Sequence, residues 1–417
     1  MPIFKQGGQR PFLLIRDVII LPVAQKISVR PFFQPIICVD SSKVFAYEVL
    51  GRKCSPQGIE SLGPFFHNKT IPPQEKLKVD RVIRWQALQA LTDIPGDEVL
   101  FLNIQPNWLL PYLDSNQVLP TIEYLEKLNI SGKHVVIEII ENEFNENCEA
   151  LYELVKLYRQ VGCRIAVDDY GEGFSNLERI ALLQPDFIKI SASLFKSRQR
   201  QKLANSLLET IGLLCEKTGS SLVLEQVETM EEFILGLEAG VRYFQGFFFR
   251  AAQQDFMEPG AFESLVIEGL QKYQTKKITL QKRELDLVKN MNRFIKEILR
   301  DSAPLSFAVF PECHIGSVPP SVASKCLRLY ICNHRGYQIS PNYAPQPGGQ
   351  WFEEEQYRGR NWSWRPYFLP KVVEALQREE GVMSQPYIDL ETRQKIWTFV
   401  YPLDEDLFLF VDCPYTK

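Results

Sequence analysis

The chain contains 417 residues, of which 45% are hydrophobic and 24% are charged. This length allows one large α/β domain and a second, smaller one. The formal net charge of −4 argues against a broad surface for polymeric nucleic acid. A small phosphate ligand remains compatible with this charge, because it needs only a few local cations.

The N-terminal segment is apolar but too short to span a membrane. Its runs Phe12–Ile15 and Val18–Val23 are separated by Arg16 and Asp17, whereas a bilayer takes roughly 20 apolar residues. We predict a buried first strand with its connection here, and no membrane insertion. Nine scattered cysteines give no disulfide spacing, so reduced thiols in a cytoplasm fit best.

Strand-like and helical segments then alternate up to about Gly260, which predicts a mostly parallel sheet covered by helices. The predicted strands are Ile27–Ile36, Val44–Leu50, Val99–Ile104, His134–Ile140, Arg164–Asp168, Phe187–Ile190, Ser221–Val227 and Tyr243–Phe249. Helices are predicted at Gln74–Leu91, Cys148–Gln160, Arg200–Glu216 and Met230–Leu237. About eight strands in a segment of this length favour a closed β/α barrel over an open sheet.

The last third of the chain has a different pattern. In Thr275–Arg300, apolar residues recur at three- or four-residue steps, which predicts one long amphipathic helix. This helix either packs on its own domain or mediates signalling or dimerisation. Beyond Asp301, strands are predicted at Leu327–Cys332, Trp397–Pro402 and Leu407–Val411, so we expect a small α+β domain with an antiparallel sheet.

Acidic and amide side chains lie late in the predicted barrel strands or just after them. They are Glu48, Asn103, Glu138, Asp168, Asp169 and Glu225. Carboxyl ends of parallel strands meet at one rim, so these oxygens could form a site for Mg²⁺ or Mn²⁺. Asp168 and Asp169 cannot both point inward from a regular strand, and the following Tyr170–Gly173 supplies a break that would turn both to one site.

Two cations accompany this acidic set. Lys189 lies inside an apolar strand, where it is either an edge residue or an interior cation that pairs with the acids. Arg52 follows Glu48 by four residues and is either a phosphate clamp or a solvated loop arginine.

The joint pattern resembles the EAL family of cyclic di-GMP phosphodiesterases over about Ile27–Arg250. The family motifs match here at Gln34–Ile36, Glu48–Arg52, Asn103, Glu138–Glu141, Asp168–Ser175, Asp186–Lys189, Glu225–Glu228 and Gln245–Phe247. The resemblance implies a TIM-like (β/α)8 barrel with one antiparallel strand. It also implies that cyclic di-GMP is hydrolysed to linear pGpG.

The resemblance implies a role for each matching position. One metal would be held by Glu48, Asn103, Glu138 and Asp168, and a second by Asp168, Asp169 and Glu225. Lys189 would orient the attacking water, and Glu141 would fix the loop that couples dimerisation to activity; with Glu225 they form the expected catalytic set. Substrate contacts are expected at Gln34, Leu50, Arg52, Asp186, Glu228 and Gln245.

The sequence departs from the family pattern at a few positions. Ser191 replaces an aspartate, which puts full activity in doubt, while Gln226 replaces a glycine and Phe247 a tyrosine. The usual Lys-Pro after the last strand is replaced by Arg250–Ala252. No position implied as a metal ligand is lost.

The whole architecture resembles the YkuI type, in which a PAS-like domain follows the EAL barrel. We therefore predict a phosphodiesterase barrel at 1–260, a linker with the long helix at 261–300, and a PAS-like sensor at 301–417. Trp364, Arg365, Tyr367 and Asp389 are candidates for a small sensor ligand, or else form a packed aromatic cluster capped by an Arg–Asp pair.

The sequence thus predicts a bacterial, dimeric signalling enzyme that uses two Mg²⁺ or Mn²⁺ ions. An inactive cyclic di-GMP receptor is the main alternative. A glycosidase that uses Glu138 and Glu225 as acid and nucleophile is a weaker one, because it leaves Asn103, the aspartate pair and Lys189 without a role.

Overall fold

A computed structural model describes residues 28–94, 96–115, 117–140, 148–171, 177–195, 201–300, 326–346 and 351–415. The predicted N-terminal strand connection, Glu141 and the loop at 172–175 lie outside these residues. The chain divides into two compact units, Met1–Gln274 and Thr275–Lys417. Within the described residues, no helix combines the length and apolar character needed to cross a membrane.

The first unit contains nine strands and most of the helices among the described residues. The strands are β1 (Ser28–Cys38), β2 (Lys43–Ser55), β3 (Gly58–Ser61), β4 (Leu100–Ile104), β5 (Val135–Ile140), β6 (Arg164–Asp168), β7 (Phe187–Ser191), β8 (Ser221–Glu225) and β9 (Tyr243–Phe244). The helices are α1 (Gly63–His67), α2 (Pro73–Thr92), α3 (Leu110–Ser115), α4 (Pro120–Leu128), α5 (Cys148–Gln160), α6 (Leu177–Leu183), α7 (Gln201–Thr218) and α8 (Met230–Glu238).

Eight of these strands close into a barrel, with β3 added to β2 on the outside. The order runs β1-β9-β8-β7-β6-β5-β4-β2, and β1 also pairs with β2 to complete the ring. Strand β1 is antiparallel to both of its neighbours, whereas the other barrel pairings are parallel. The predicted barrel with one antiparallel strand is confirmed.

Apolar side chains on the outer face of the barrel pack against the surrounding helices. Leu102, Ile137 and Leu224 belong to this layer, as do Leu88 of α2 and Leu154 of α5. Because successive side chains of a strand point to opposite faces, the residues between them point into the barrel. Both faces are therefore covered, as the near-continuous apolar strand sequences predict.

One long helix, α9 (Glu263–Arg300), begins twelve residues before the predicted start at Thr275. The prediction missed this part because the mostly polar residues 271–277 separate its apolar positions from those of the later part. In the missed part, Val266 is buried and Gly269 lies against the ring of Phe233. The last predicted barrel strand is also shorter than expected, since pairing stops at Phe244.

The second unit is built on an antiparallel sheet. Its strands are β10 (Arg328–Asn333), β11 (Asn342–Pro345), β12 (Trp351–Glu354), β13 (Val382–Met383), β14 (Tyr387–Ile388), β15 (Lys395–Pro402) and β16 (Leu407–Pro414), with helix α10 at Phe368–Arg378. The order is β12-β11-β10-β16-β15-β13, and β14 also pairs with β15. This arrangement confirms the predicted smaller α+β domain.

Helices cover both faces of this sheet. Phe368 and Val372 of α10 pack with Phe410 on one face, and Met291 and Ile295 of α9 pack with the other. The helical apolar pattern that we predicted therefore serves, in this part of α9, to bury a sheet face of its own unit.

Candidate functional site

A polar layer lies directly above an apolar layer inside the barrel. The apolar layer consists of Ala46, Phe101, Val136, Ala166, Phe187 and Val223, all buried. Two positions later on the same strands come Glu48, Asn103, Glu138, Asp168, Lys189 and Glu225. Residues two apart share a face of a strand, so the polar side chains also point inward, at the carboxyl ends of the parallel strands.

Lys189 lies at the centre of this layer and is 0% exposed. Its Nζ is 2.5 Å from Glu225 Oε1, 3.3 Å from Asp168 Oδ1 and 3.6 Å from Glu48 Oε2, and it also pairs with Glu138. Of the two alternatives that the sequence left open, the structure therefore places Lys189 as an interior cation.

The interior environment changes the protonation of these groups. Burial raises the pKa of Glu138 and that of Glu225 well above the usual range, although the Lys189 ammonium opposes this effect. Burial would lower the pKa of Lys189, but the surrounding carboxylates, Asp168 foremost, outweigh it and raise that pKa. Lys189 is therefore held as a cation among more acids than it can neutralise.

Two side-chain amides orient Glu48. Gln245 Nε2 donates to Glu48 Oε2 at 2.6 Å, and Asn103 Nδ2 donates to Glu48 Oε1 at 3.0 Å. Gln245 also donates to Gln34 Oε1 at 3.1 Å, and Gln34 lies opposite Glu48 in the β1–β2 register. The sequence placed Gln34 and Gln245 near substrate but did not predict that Gln245 fixes the Glu48 carboxylate.

The aspartate pair is turned by the backbone of Asp169 itself. Asp169 has φ +54° and Gly171 has φ +94°, both left-handed. The Asp169 N–H donates to Asp168 Oδ1 at 3.0 Å. The predicted break in the strand therefore begins at Asp169, one residue earlier than expected, and it brings the second aspartate to the rim.

The carboxylates cluster closely enough to share metal ions. Glu48, Glu138 and Glu225 each offer an oxygen within 4.8 Å of the others, and so do Asp168, Asp169 and Glu225. Both Glu138 oxygens and Glu225 Oε1 are buried, and among the described residues only the Lys189 ammonium compensates them. An all-oxygen set with uncompensated buried carboxylates fits Mg²⁺ or Mn²⁺.

A cavity of about 290 Å³ opens beside these acids. Its lining includes the predicted Leu50, Arg52, Asn103, Asp168 and Asp169, together with Phe66, His67 and Trp108, which sequence reasoning missed. Trp108 could have been predicted as a cavity residue, because it follows the end of β4 by four residues and therefore lies on the rim side.

Arg52 lies at the edge of this cavity, partly shielded from solvent. Burial lowers its pKa, although the nearby Glu48 opposes the effect. Its guanidinium lies 6.0 Å from the centroid of the Phe32 ring, and its Nη1 donates to the Gly51 carbonyl at 3.0 Å. The remaining guanidinium donors leave room for a phosphate contact.

Of two further predicted substrate residues, Asp186 lies away from the acids, whereas Glu228 lies beyond β8 on the rim side. Asp186 immediately precedes β7, and its carboxylate accepts a hydrogen bond from the Ile165 N–H at 2.8 Å. That position is at the amino end of the strands, so the structure does not bring Asp186 to the rim. Glu228 is exposed after β8, where its N–H donates to Glu232 at 2.7 Å.

The positions that depart from the family pattern have distinct surroundings. Ser191 is 1% exposed, lies opposite Glu225 in the β7–β8 register, and donates to Ser193 Oγ at 2.7 Å. Gln226 has φ +54°, a conformation that favours glycine. The backbone at position 226 therefore keeps the left-handed conformation that favours glycine, although the residue is glutamine.

In the second unit, three of the four predicted ligand residues gather around Tyr387. Arg365 lies 4.7 Å from the Trp364 ring centroid and 5.5 Å from that of Tyr387, and Tyr367 stacks on Tyr387 at 4.9 Å. Trp364 is 62% exposed. A ligand at this aromatic group stays a prediction.

Asp389 belongs to a separate ionic cluster. It pairs with Arg328 at 2.6 Å, and Arg328 also pairs with the buried Asp412 at 2.7 Å. Burial opposes ionisation of Asp389, but hydrogen bonds from Thr392 and Arg328 prevail and lower its pKa. The Arg–Asp pair expected as one alternative therefore exists, but its arginine is Arg328 and not Arg365.

Comparison with known proteins identifies both units. The EAL domain model matches residues 21–252, and the model of the EAL-domain associated signalling protein domain matches residues 261–417. This chain belongs to the EAL family. The EAL match spans the barrel and the polar layer inside it.

Two relatives illustrate the similarity of this EAL protein to others. YkuI of Bacillus subtilis, an uncharacterized EAL-domain containing protein, is 34% identical over 93% of this chain and 95% of its own. RocR of Pseudomonas aeruginosa, a cyclic di-GMP phosphodiesterase, is 26% identical over 52% of this chain and 56% of its own.

A solved structure of YkuI also matches this EAL protein along most of its length. It contains c-di-GMP and calcium and superposes with a TM-score of 0.84 at 32% identity, covering 93% of this chain and 97% of YkuI. The predicted resemblance to the YkuI type, with an EAL barrel followed by a second domain, is confirmed.

Proposed function

We propose that the barrel is a metal-dependent cyclic di-GMP phosphodiesterase that opens one phosphodiester of its substrate to give linear pGpG. The observation that carries this proposal is the inward-facing polar layer, in which four carboxylates surround one buried ammonium and Asp169 adds a fifth carboxylate at the rim. The family membership, the c-di-GMP in the YkuI structure and the activity named for RocR support the same substrate.

Two divalent cations would be held by the acids and by Asn103. Glu48, Asn103, Glu138 and Asp168 would bind the first, and Asp168, Asp169 and Glu225 the second. When bound, such ions activate water and neutralise charge on a phosphoryl group. Their binding would also compensate the buried carboxylates of Glu138 and Glu225, whose pKa values are raised while they are buried without a metal.

The protein's own groups would position the reactants. Lys189 Nζ, fixed by its ion pairs, would donate a hydrogen bond that orients the attacking water. Arg52 would bind a phosphate oxygen from the edge of the cavity, and Gln245 would keep the Glu48 carboxylate in place. The apolar layer beneath closes the barrel interior below the site.

The test is turnover of cyclic di-GMP by the purified full chain with Mg²⁺ and with Mn²⁺, followed as pGpG. We expect turnover that Glu48→Ala and Asp169→Asn abolish. Glu60→Ala, a change on the exposed strand β3, serves as the matched control and should retain activity. Retained turnover in either site variant would contradict the proposed metal assignment.

An inactive cyclic di-GMP receptor is the second candidate, and Ser191 is the observation that favours it. Because this residue is a serine, the position beside Glu225 supplies no carboxylate. The Ser191 hydroxyl donates a hydrogen bond to Ser193 Oγ. Saturable binding of cyclic di-GMP without product under both metals would select this function. Ser191→Asp would then be expected to restore some turnover.

A further inference from the structure

A groove of about 640 Å³ lies within the second unit, between α9 and the segment that follows α10. The helix contributes residues at three- and four-residue steps, so one face of α9 forms a wall. The opposite wall includes Gly381, Met383, Pro386 and Trp397. The volume lies within the usual range of small-molecule sites, about 300–1,000 Å³.

The side chain of Asn292 fixes the two walls relative to each other. Its Nδ2 donates to the Gly381 carbonyl at 2.8 Å, and the Gly381 N–H donates to its Oδ1 at 2.6 Å. Asn292 is buried, so water does not compete with these bonds. The groove is therefore preformed, and an occupant would not have to order its walls.

Part of the groove surface is apolar. Leu285 is 58% exposed on the helix wall, and Val288 is half-buried beside it. Met383, Pro386 and Trp397 provide the facing apolar surface, with Trp397 itself 7% exposed. An occupant with an apolar body would remove the Leu285 side chain from water, which favours binding.

The charged residues of the groove are unequally paired. Lys296 pairs with Glu380 at 2.7 Å, and Arg378 pairs with Glu374 at 2.9 Å. Among the described residues, Lys289 and Arg293 form no ion pair. One turn apart on the helix, they present two cationic groups to the groove.

One acid, Glu284, also lines the groove without an ion pair among the described residues, nearer the start of the helix wall. Lys289 and Arg293 therefore outnumber it. An acidic group on an occupant would find its most favourable position at their end of the groove.

We propose that this groove binds a small amphipathic organic anion. Its apolar body would lie against Leu285, Met383 and Trp397, and its carboxylate would accept hydrogen bonds from Lys289 and Arg293. The site is distinct from the aromatic group around Tyr387 and does not depend on the activity of the barrel.

Decanoate below its micellar concentration is a suitable probe for the full chain labelled with 5-fluorotryptophan. The Trp397 fluorine resonance, assigned with Trp397→Phe, should shift saturably as decanoate is added. Reversing both cations (Lys289→Glu with Arg293→Glu) should weaken binding at least tenfold. The matched control, Lys277→Glu with Lys282→Glu, changes the same charge on the same helix outside the groove and should bind within twofold of wild type.

Three results would overturn the proposal. The first is a Trp397 resonance that decanoate does not shift, and the second is an affinity that the Lys289 and Arg293 reversals leave unchanged. The third is equal binding of decan-1-ol, which would show that the anionic group is not recognised. Melting curves of both double variants check that the exposed substitutions leave the fold intact.

Discussion

Replacing Lys189 by methionine would remove the one ammonium in the acidic layer while keeping a side chain of similar length. Lys189 contacts carboxylates from four different strands. Without it, those acids would remain buried with no cation among the described residues of the layer to compensate them. We expect the variant to lose turnover and to be destabilised in the absence of metal.

The size of the destabilisation follows from the burial of the pairs. Removing one partner of a buried ion pair costs about 3–5 kcal/mol in unfolding free energy. In a domain of roughly 150–250 residues, each kcal/mol lowers the melting temperature by about 2–4 °C. Lys189→Met should therefore lower the melting temperature of the barrel by about 6–20 °C.

The assay is calorimetry of the chelator-treated full chain beside a matched surface variant. Lys127 pairs with Glu123 at 2.6 Å, but both side chains are exposed. Exposed pairs contribute about 0–1 kcal/mol, so Lys127→Met should shift melting by less than about 4 °C. A Lys189→Met protein that melts like the Lys127 variant would refute the idea that this ammonium neutralises the layer.

Four further outcomes are expected. Mn²⁺ should raise the melting temperature of the chelator-treated chain, by the equivalent of about 2.7 kcal/mol at a hundred times its Kd, and Asp169→Asn should reduce that rise. Gln226→Gly should stabilise the barrel by about 1 kcal/mol in urea titrations, because the residue has φ +54°. Gly246→Ala should destabilise it, since a Cβ there would lie 2.1 Å from the Val227 carbonyl oxygen; an unchanged urea midpoint would contradict this. The lowered pKa of Asp389 means that its contribution is present above about pH 4 and lost as pH falls through the folded pKa, so the stability difference between wild type and Asp389→Asn should narrow below about pH 4.

The barrel and its acidic rim could be predicted because strand periodicity and position in the strand are local properties. Residues late in consecutive parallel strands must meet at one end, so Asn103, Glu138 and Asp168 could be grouped without coordinates. The spacing of two residues within a motif is a weaker guide to whether both lie at the same end of the barrel. Asp186 is three residues from Lys189, but it precedes the strand that contains Lys189, and about 10 Å of extended chain places the aspartate towards the opposite end of the barrel.

Features that depend on tertiary register could not be read from the sequence. The bonds from Gln245 to Glu48 and Gln34 join residues about 200 positions apart, and they follow from barrel closure. Similarly, Asp389 follows β14 and Arg328 lies on β10; they meet because β14 pairs with β15, and β16 joins β15 to β10. Long-range side-chain partners of this kind have no local signal, whereas the positive φ at Asp169 was anticipated in part by the need to turn two adjacent acids.

The reversed direction of β1 has a practical consequence for handling the protein. Its first residue, Ser28, lies opposite Cys54, beyond Glu48 along β2, so the chain enters the barrel at the end that carries the acids. In an ordinary parallel barrel the first strand would start at the far end. Affinity tags or fusion partners joined directly before Ser28 would be tethered near the mouth of the cavity, where they would hinder ligand access.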